Sequence, residues 1–291
     1  MAGRSGRISK REAAVKRKAS AAIRAQDDDL PVEFYTPSEL PPTEWYSSGI
    51  PTLDALLGGG LPAGRIVEIY GPFGIGKTLL SLQWKPLVFV DIERTAEREW
   101  FHKFAPEMEI VRPKRGERVT GEVLWRVLEA ACLANLKGVV VVDSVGAIVS
   151  EAMLESRGGQ APLARHVTEN LKRLIPLIGD TTILFINQIR MIVGSSIPGL
   201  VDPPGGKFLG HVTTQMIEMR WRGEWLKYGE RKIGHAVRVY LKKSKVGPCE
   251  RECILYVGYG TGIHESEEEA KEAYKRAVSP EAIHAVAPRT H

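Results

Sequence analysis

Eight consecutive residues, Gly71 to Thr78, have the types and spacing needed to hold a chain of phosphate groups. They read GPFGIGKT and match the pattern GxxxxGK[ST] at every fixed position. Glycines let backbone N–H groups curl around phosphate oxygens, and a following helix directs its positive end at them. An apolar segment precedes this run and a predicted helix follows it, which disfavours a chance glycine turn. The segment therefore predicts a nucleoside triphosphate site.

Three side chains suit the triphosphate and its metal ion. Lys77 is placed to bridge the β- and γ-phosphates, and Thr78 is placed to offer its hydroxyl to Mg²⁺. Asp143 follows a valine run at residues 139–142, a pattern typical of a strand buried on both faces. It therefore lies at the carboxyl end of that strand, where ligands bind in open α/β sheets. We therefore expect ATP and Mg²⁺ as cofactors. The expected contacts of the loop with the nucleotide are Gly71, Pro72, Phe73, Gly74, Ile75, Gly76, Lys77, Thr78 and Leu79.

The segments around these residues alternate between predicted strands and helices. The first strands are residues 64–70, 87–91, 138–143 and 181–187. The helices are residues 120–136 and 163–178, the second disturbed by Pro176. Later strands, without long helices between them, are residues 215–222, 235–242 and 252–257. This order predicts an α/β fold, with a mostly parallel central sheet flanked by helices and an antiparallel extension.

Length and composition predict one substantial hydrophobic core. They predict no association with a membrane. No apolar run approaches the roughly 20 residues of a membrane helix, and the amino terminus lacks the apolar stretch of a secretory signal. We therefore predict a cytoplasmic protein. Cys132 is expected in the core, and no His or Cys cluster near Cys249 and Cys253 completes a zinc site.

The net charge of +5 is concentrated at the amino terminus. Residues 1–26 contain eight Lys or Arg and one Glu, so the remainder has a small negative excess. Such a run fits a solvated, partly helical arm or a tail that binds nucleic-acid phosphates. We divide the chain into a basic arm at 1–26, a linker at 27–44, the α/β core at 45–263, and a short charged helix and tail at 264–291 that a capping box at 266–269 opens.

Three separated segments resemble the core of RecA-type recombinases, in the same order along the chain. They are GRIVEIYG at residues 64–71, VVVDSV at 140–145 and FINQIRM at 185–191. The similarity covers roughly residues 46–263 and includes GGKF at 205–208. It implies a RecA-like P-loop ATPase core that hydrolyses ATP to ADP and phosphate when DNA is bound. It further implies a helical filament on single-stranded DNA that pairs with homologous duplex DNA and promotes strand exchange in recombination and repair.

The resemblance also implies catalytic roles for two residues at strand ends. Glu93 matches the carboxylate that orients the attacking water. A carboxylate in this place can also accept a proton from that water. Gln188 matches the γ-phosphate sensor that links nucleotide state to DNA binding. The alternative for Glu93 is a surface carboxylate beside Arg94. The alternative for Gln188 is a buried amide that only satisfies backbone groups.

Four further residues have roles implied by the same resemblance. Lys243 and Lys245 match lysines that reach across the filament interface to a neighbour's γ-phosphate, where cations offset developing charge. Trp100 matches an aromatic residue that stacks on adenine, and Glu97 an acidic contact to it. The alternatives are an exposed basic strand end for the lysines and core packing for Trp100.

DNA binding in this family uses two loops, here residues 151–162 and 191–207. Val193 aligns with an apolar residue that wedges between bases, and the other positions align with contacts to the DNA backbone. Because such contacts go mainly to phosphates, binding should tolerate any sequence and weaken with salt. The implied DNA-binding residues are Arg157, Arg165, Thr168, Lys172, Arg190, Val193, Gly205 and Gly206.

Two features depart from the RecA pattern. Only a helix follows residue 265, where RecA has a further domain. A crossover between parallel strands normally takes about a dozen residues or more, whereas residues 76–85 allow roughly 15 Å of helix. Both departures favour an alternative, a slow-turnover recombination mediator or paralogue that binds ATP and DNA without exchanging strands.

Two other classes fit the residues less well. A ring-forming helicase-type or regulatory ATPase would share the nucleotide site, but the context of Gln188 and the paired lysines disfavour it. An architectural DNA-binding protein with an inactive nucleotide site is disfavoured by the intact Lys77, Thr78, Glu93 and Asp143.

Overall fold

The computed structural model describes residues 18, 21, 33, 35–117, 119–155, 160–191, 201–202 and 204–278. The chain forms two compact units, residues 1–42 and 43–291. In the first unit, most of the predicted basic arm lies outside the described residues, and the amides of Glu39 and Leu40 donate to the Thr36 carbonyl in a turn. Among the described helices, none has the length and apolar character needed to span a membrane.

In the second unit, a nine-stranded sheet runs through the described part of the chain. The strands of this unit are β1 (Trp45–Tyr46), β2 (Leu61–Pro62), β3 (Ile66–Gly71), β4 (Val88–Asp91), β5 (Glu109–Val111), β6 (Val139–Asp143), β7 (Thr182–Gln188), β8 (Arg190–Met191), β9 (Val201–Asp202), β10 (Gln215–Tyr228), β11 (Arg231–Ser244), β12 (Arg251–Gly258) and β13 (Gly262–His264). Across the large sheet the order is β13-β12-β11-β10-β3-β7-β6-β4-β5. The pairs from β10–β3 to β4–β5 are parallel, and the pairs from β10 to β13 are antiparallel. The predicted parallel sheet with an antiparallel extension is confirmed.

Helices cover both faces of the parallel part. The helices are α1 (Pro51–Leu57), α2 (Lys77–Ser81), α3 (Arg98–Phe104), α4 (Gly121–Leu133), α5 (Glu151–Glu155), α6 (Gln160–Leu174), α7 (Gly206–Val212) and α8 (Glu267–Ala277). In β6, Val139 and Val141 belong to the core layer of α1, α2 and α3, whereas Val140 and Val142 belong to the layer of α4 and α6. All four valines are buried, which stabilises the fold by about 1.5–3 kcal/mol each. The valine run therefore forms a strand buried on both faces, as predicted.

The connection after the phosphate loop is as short as the sequence indicates. The five residues of α2 lead into a 3-10 turn, Leu82–Trp84, and Lys85 ends it with a φ of 46°. These eight residues rise roughly 13 Å. The strand they lead to, β4, has only four residues and spans roughly 13 Å. The short helix therefore suffices because the strand is short as well, and Leu79, Leu80, Leu82 and Trp84 bury their side chains in the core.

The antiparallel extension is longer than predicted. The strand expected at 215–222 continues to Tyr228, and the strand expected at 235–242 begins at Arg231. Gly229 has a φ of 58°, the left-handed value that a tight hairpin turn requires at this position. A β-bulge between Trp221 and Trp225 interrupts the regular pairing, so side-chain alternation is lost there.

The predicted capping box at the start of α8 is present with one change of partner. The Ser266 hydroxyl accepts from the Glu269 amide at 3.1 Å. The Glu269 carboxylate accepts from the Glu265 amide at 3.0 Å rather than from the amide of Ser266. The first bond satisfies an amide that the first turn of a helix leaves unpaired, and the second satisfies the amide of the residue before the N-cap.

A histidine lies in the interface between α4 and α6. The Nε2 atom of His166 accepts from Trp125 Nε1 at 3.1 Å, and its Nδ1 atom lies 3.6 Å from a Glu122 carboxylate oxygen. Burial lowers the pKa of His166, although Glu122 and Glu169 oppose this effect. The neutral imidazole is thus the form that fits the folded chain.

We expect His166 to make the fold sensitive to acid. Its pKa is lower in the folded chain than in the unfolded chain, where a histidine titrates near 6.5, so its stabilising effect is full above that pH and is lost as the pH falls below it. Glutamine can accept from Trp125 but does not titrate. The His166→Gln variant should therefore lose less melting temperature than the parent between about pH 7.5 and about pH 5.5. An equal loss in both chains would contradict this role.

Candidate nucleotide-binding site

The phosphate loop joins the end of β3 to the start of α2, as predicted. Gly74 and Gly76 have φ values of 73° and 101°, in the left-handed region that favours glycine. A Cβ atom on Gly71 would lie 2.5 Å from the Met219 carbonyl oxygen, and one on Gly76 would lie 3.1 Å from the Val257 side chain. Glycine at these positions is therefore required by backbone conformation and by close packing against the antiparallel strands.

The Lys77 side chain lies inside this loop. Its Nζ atom donates to the carbonyl oxygens of Gly71 at 3.0 Å and Pro72 at 2.8 Å, and the residue is 8% exposed. Burial lowers the pKa of Lys77, while the nearby Asp143 and Glu93 carboxylates favour its charged form. Neutral carbonyls compensate a buried ammonium only in part, so phosphate oxygens would be stronger partners for it.

Thr78 and Asp143 meet at the metal position predicted from the sequence. The Thr78 hydroxyl donates to Asp143 Oδ2 at 2.7 Å. Burial raises the pKa of Asp143 to about 6, although the bond from Thr78 opposes the rise. A hydroxyl and a carboxylate fit Mg²⁺, a hard cation that prefers oxygen ligands. Within the described ranges no three His, Cys, Asp or Glu side chains are grouped to hold a metal ion, so phosphates and water would complete its coordination.

Glu93 and Gln188 are neighbours at the same edge of the sheet. One oxygen of Glu93, Oε1, accepts from Gln188 Nε2 at 3.4 Å and from the hydroxyl of Ser144. Ser144 follows Asp143 directly, so these bonds connect the ends of β4, β6 and β7. The prediction did not include Ser144, although its position after a strand-ending aspartate was a usable signal.

A buried aspartate at the end of β4 positions Glu93. Asp91 is fully buried and accepts from the amides of Thr95 at 2.8 Å and Ala96 at 3.1 Å. Its carboxylate also lies 3.8 Å from the Arg112 guanidinium. These contacts fix the turn that contains Glu93, and the prediction missed them because Asp91 resembles the end of any strand.

These groups line a cavity of about 360 Å³. Trp100 lines it too, is 39% exposed and packs edge-to-face on Phe104 with ring centroids 5.6 Å apart. Glu97 lies at the N-cap of α3 and does not line the cavity, so its contact with adenine stays a prediction. The lining residues are Phe73, Gly74, Gly76, Lys77, Thr78, Leu79, Glu93, Thr95, Trp100, Asp143, Gln188, His235, Val257 and Tyr259. The last three come from the antiparallel extension, and the prediction did not include them.

Lys243 and Lys245 do not line this cavity. Lys243 Nζ donates to the Gly210 and His211 carbonyls at 2.6 and 3.1 Å, and Lys245 Nζ donates to the His211 and Val212 carbonyls at 2.7 and 3.2 Å. Both ammonium groups therefore cap the carboxyl end of α7, where the helix dipole favours cations. Burial and the neighbouring Lys245 lower the pKa of Lys243.

Three of the predicted DNA-binding residues share one face of α6. Arg165, Thr168 and Lys172 are spaced three and four residues apart. Arg165 and Lys172 are exposed, and the Lys172 ammonium lies 5.6 Å from the centroid of the Phe208 ring in α7. The predicted first DNA loop is shorter than expected, because α5 and the first turn of α6 occupy most of it.

The other predicted DNA-binding residues are only partly described. Gly205 is the N-cap of α7, and Gly206 is its first residue. Arg190 lies in β8, which pairs with β9, but its side chain is outside what the structure describes, as are Arg157 and Val193 altogether.

Comparisons with known proteins agree with this geometry. The sequence model of the RecA N-terminal domain matches residues 38–264. Protein RecA of Oceanobacillus iheyensis is 32% identical over 240 residues, which are 78% of this chain and 68% of that protein. Protein RecA of Thermus thermophilus is 32% identical over 230 residues, which are 74% of this chain and 67% of that protein. The crystal structure of the RadB recombinase is similar in fold, with a TM-score of 0.57, 20% identity, and coverage of 76% of this chain and 99% of that one.

Proposed function

Because the chain belongs to the RecA family, we propose that it is a DNA-dependent ATPase that assembles as a helical filament on single-stranded DNA. We further propose that the filament pairs with homologous duplex DNA and promotes strand exchange in recombination and repair. The observation that carries the proposal is the convergence of Lys77, the Thr78–Asp143 pair and the Glu93–Gln188 pair in one cavity. Such a set can hold a triphosphate, its metal ion and an attacking water together.

Binding of ATP begins at the phosphate loop. Its backbone N–H groups and the start of α2 surround the phosphates, and Lys77 exchanges its bonds to the Gly71 and Pro72 carbonyls for phosphate oxygens. Thr78 and Asp143 would hold a Mg²⁺ ion, whose charge would offset that of the triphosphate. Trp100, which lines the same cavity, would offer its ring to the adenine base.

Hydrolysis uses the carboxylate of Glu93. Glu93 orients a water molecule and accepts its proton as the water oxygen attacks the γ-phosphorus, and ADP leaves with the electrons of the broken bond. The Gln188 amide that donates to Glu93 in the structure is within reach of the same space. When it turns to the γ-phosphate instead, it releases Glu93 for the water and reports that the triphosphate is present.

DNA binding is expected on the face formed by α6 and the start of α7. Arg165 and Lys172 are exposed there, where their charged ends can reach the phosphates of a DNA strand. These contacts carry no base preference, so affinity should depend on salt and not on sequence.

Lys243 and Lys245 support assembly of neighbouring subunits around the site. Both lysines donate to carbonyls of α7 and do not line the nucleotide cavity of their own chain. Among the described residues, Lys77 is the lysine that lines this cavity. A neighbour that presents the same two lysines would supply cations opposite Lys77. The site is then complete only between two copies of the chain.

Mixing two inactive variants tests this shared site. In the Glu93→Gln chain the water-orienting group is lost but the lysines remain, and in the Lys243→Ala/Lys245→Ala chain the reverse holds. Each alone should hydrolyse ATP about 100-fold more slowly than the parent. In an equal mixture, a quarter of the interfaces join an intact Glu93 to intact lysines, so about one quarter of the parent rate should return.

The control for the mixing experiment is Lys242→Ala, which removes one positive charge from an exposed position beside Lys243 in β11. It should hydrolyse ATP at the parent rate. If the mixture shows only the average of its two components, the lysines do not act on a neighbour.

The second candidate is a slow-turnover recombination mediator. The five-residue α2 favours it, because few helical residues support Lys77 and Thr78 at its start. A mediator would bind ATP and single-stranded DNA but would not convert a circular single strand and a homologous linear duplex into exchanged products. The strand-exchange assay with the parent chain therefore separates the two candidates.

A further inference from the structure

Asn187 is the buried neighbour of Gln188 at the end of β7. It has no exposed surface, and it pairs across the sheet with Tyr70 of β3. A buried amide side chain needs hydrogen-bond partners, because an unpaired polar group in the interior destabilises the fold.

The partners of the Asn187 side chain come from three parts of the chain. Its Nδ2 atom donates to Glu68 Oε1 at 2.9 Å and to the Pro204 carbonyl oxygen at 2.6 Å. Its Oδ1 atom accepts from the backbone amide of Gln188 at 3.1 Å. Both amide hydrogens and the oxygen are thus engaged, and one side chain joins β3, the proposed γ-phosphate sensor and the segment before α7.

The bond to Pro204 reaches the proposed DNA-binding face. Pro204 directly precedes Gly205 and Gly206, the predicted DNA contacts that begin α7. A Cβ atom on Gly206 would lie 2.8 Å from the Ala164 side chain, so the start of α7 packs closely on α6. A shift of α7 relative to α6 therefore displaces the Pro204 carbonyl, which Asn187 holds.

The bond to Glu68 provides the fixed end of this connection. Glu68 is 2% exposed and lies within β3, the strand that leads into the phosphate loop. Its charge also favours the protonated form of Lys243. The Asn187 amide is therefore held on one side by Glu68 in the sheet. On the other side it is held by Pro204, which precedes the proposed DNA contacts Gly205 and Gly206.

We propose that Asn187 is a positioning residue that transmits the position of Pro204 and α7 to Gln188, and so couples DNA binding to ATP hydrolysis. The inference rests on the proposed DNA-dependent ATPase function. In this role Asn187 touches neither ATP nor DNA. A purely structural role, in which Asn187 only pairs the buried Glu68, predicts different results in the following experiment.

Three variants separate coupling from pairing. Asn187→Asp has the same shape but loses the donors to Glu68 and to Pro204. Glu68→Gln alone keeps all three bonds, because the glutamine oxygen still accepts from Asn187. The double variant, Glu68→Gln/Asn187→Asp, restores the bond between β3 and β7 with reversed polarity, since the introduced glutamine amide can donate to the introduced aspartate. It leaves the Pro204 carbonyl without its donor.

The experiment measures ATP hydrolysis with and without single-stranded DNA, together with melting temperature and binding of a fluorescent non-hydrolysable ATP analogue. We expect Asn187→Asp and the double variant to lose about tenfold in DNA stimulation. The double variant should regain the melting temperature that Asn187→Asp loses, and Glu68→Gln should be stimulated like the parent. Asn135→Asp, a change of the same kind at a surface asparagine bonded to Asp180, is the matched control.

Two outcomes would overturn the inference. If the parent is stimulated by DNA and the double variant is stimulated equally, Asn187 serves only to pair Glu68, and the coupling role is wrong while the proposed function stands. If the parent chain itself is not stimulated, the proposed function fails, and the coupling fails with it.

Discussion

Replacement of Lys77 by alanine is expected to lower the affinity for ATP about 100-fold and to abolish nucleotide-dependent binding of DNA. The ammonium group lies within the loop that surrounds the phosphates, at bonding distance from the Gly71 and Pro72 carbonyls. Charge-assisted bonds to phosphate are stronger than these bonds and form where water is largely excluded. Loss of the cation therefore removes the main electrostatic attraction for the β- and γ-phosphates.

The fold should tolerate this substitution. Lys77 lines the cavity and begins α2, where alanine has a high helix propensity, so the variant should melt within a few degrees of the parent. Titration with a fluorescent ATP analogue measures the affinity. Lys137→Ala is the control, because the Lys137 side chain is 76% exposed. Lys137 precedes the amino end of β6, whereas the nucleotide site lies at the carboxyl ends of the parallel strands. ATP-dependent DNA retention by Lys77→Ala at the parent level would show that the switch does not depend on this site.

The Glu93→Gln variant is expected to bind ATP normally and to hydrolyse it at least about 100-fold more slowly. Glutamine keeps the oxygen that accepts from Ser144 and Gln188, so the arrangement of the site is preserved. The amide is not basic and cannot take the proton of the attacking water. The effect should therefore fall on kcat and leave the affinity for ATP unchanged.

Single-turnover hydrolysis with bound ATP is the measurement for Glu93→Gln. Glu107→Gln, at an exposed position between α3 and β5, serves as its control and should show the parent rate. If Glu93→Gln turns over like the parent, another residue orients the water. Asp143 is the other carboxylate among the described residues that line the cavity, and its place beside Thr78 would then have to be reconsidered.

Much of the fold could be predicted because its signals are local in the chain. Four successive valines before Asp143 indicate a strand buried on both faces, whatever lies beside it. The glycine spacing before Lys77 similarly predicts the loop from eight residues alone. Elements such as β5, with three residues, are too short for any periodicity to reveal them.

The features that the sequence did not reveal depend on distant residues. The alternation that marks β10 stops at the bulge after Trp221, so the pattern predicts an end before the last six residues of the strand. The partners of Asn187 lie 17 and 119 residues away, and those of Lys243 lie 32 and 33 residues away. No local pattern encodes such pairs, because they arise only when the strands have taken their order in the sheet.

Our central claim, that ATP hydrolysis in this chain depends on DNA, is tested most directly by the rate of hydrolysis with and without single-stranded DNA at low and moderate salt. We expect strong stimulation at low salt that weakens as salt displaces the protein from the phosphate backbone. An equal rate with and without DNA, under conditions in which the chain binds both ATP and DNA, would contradict the claim.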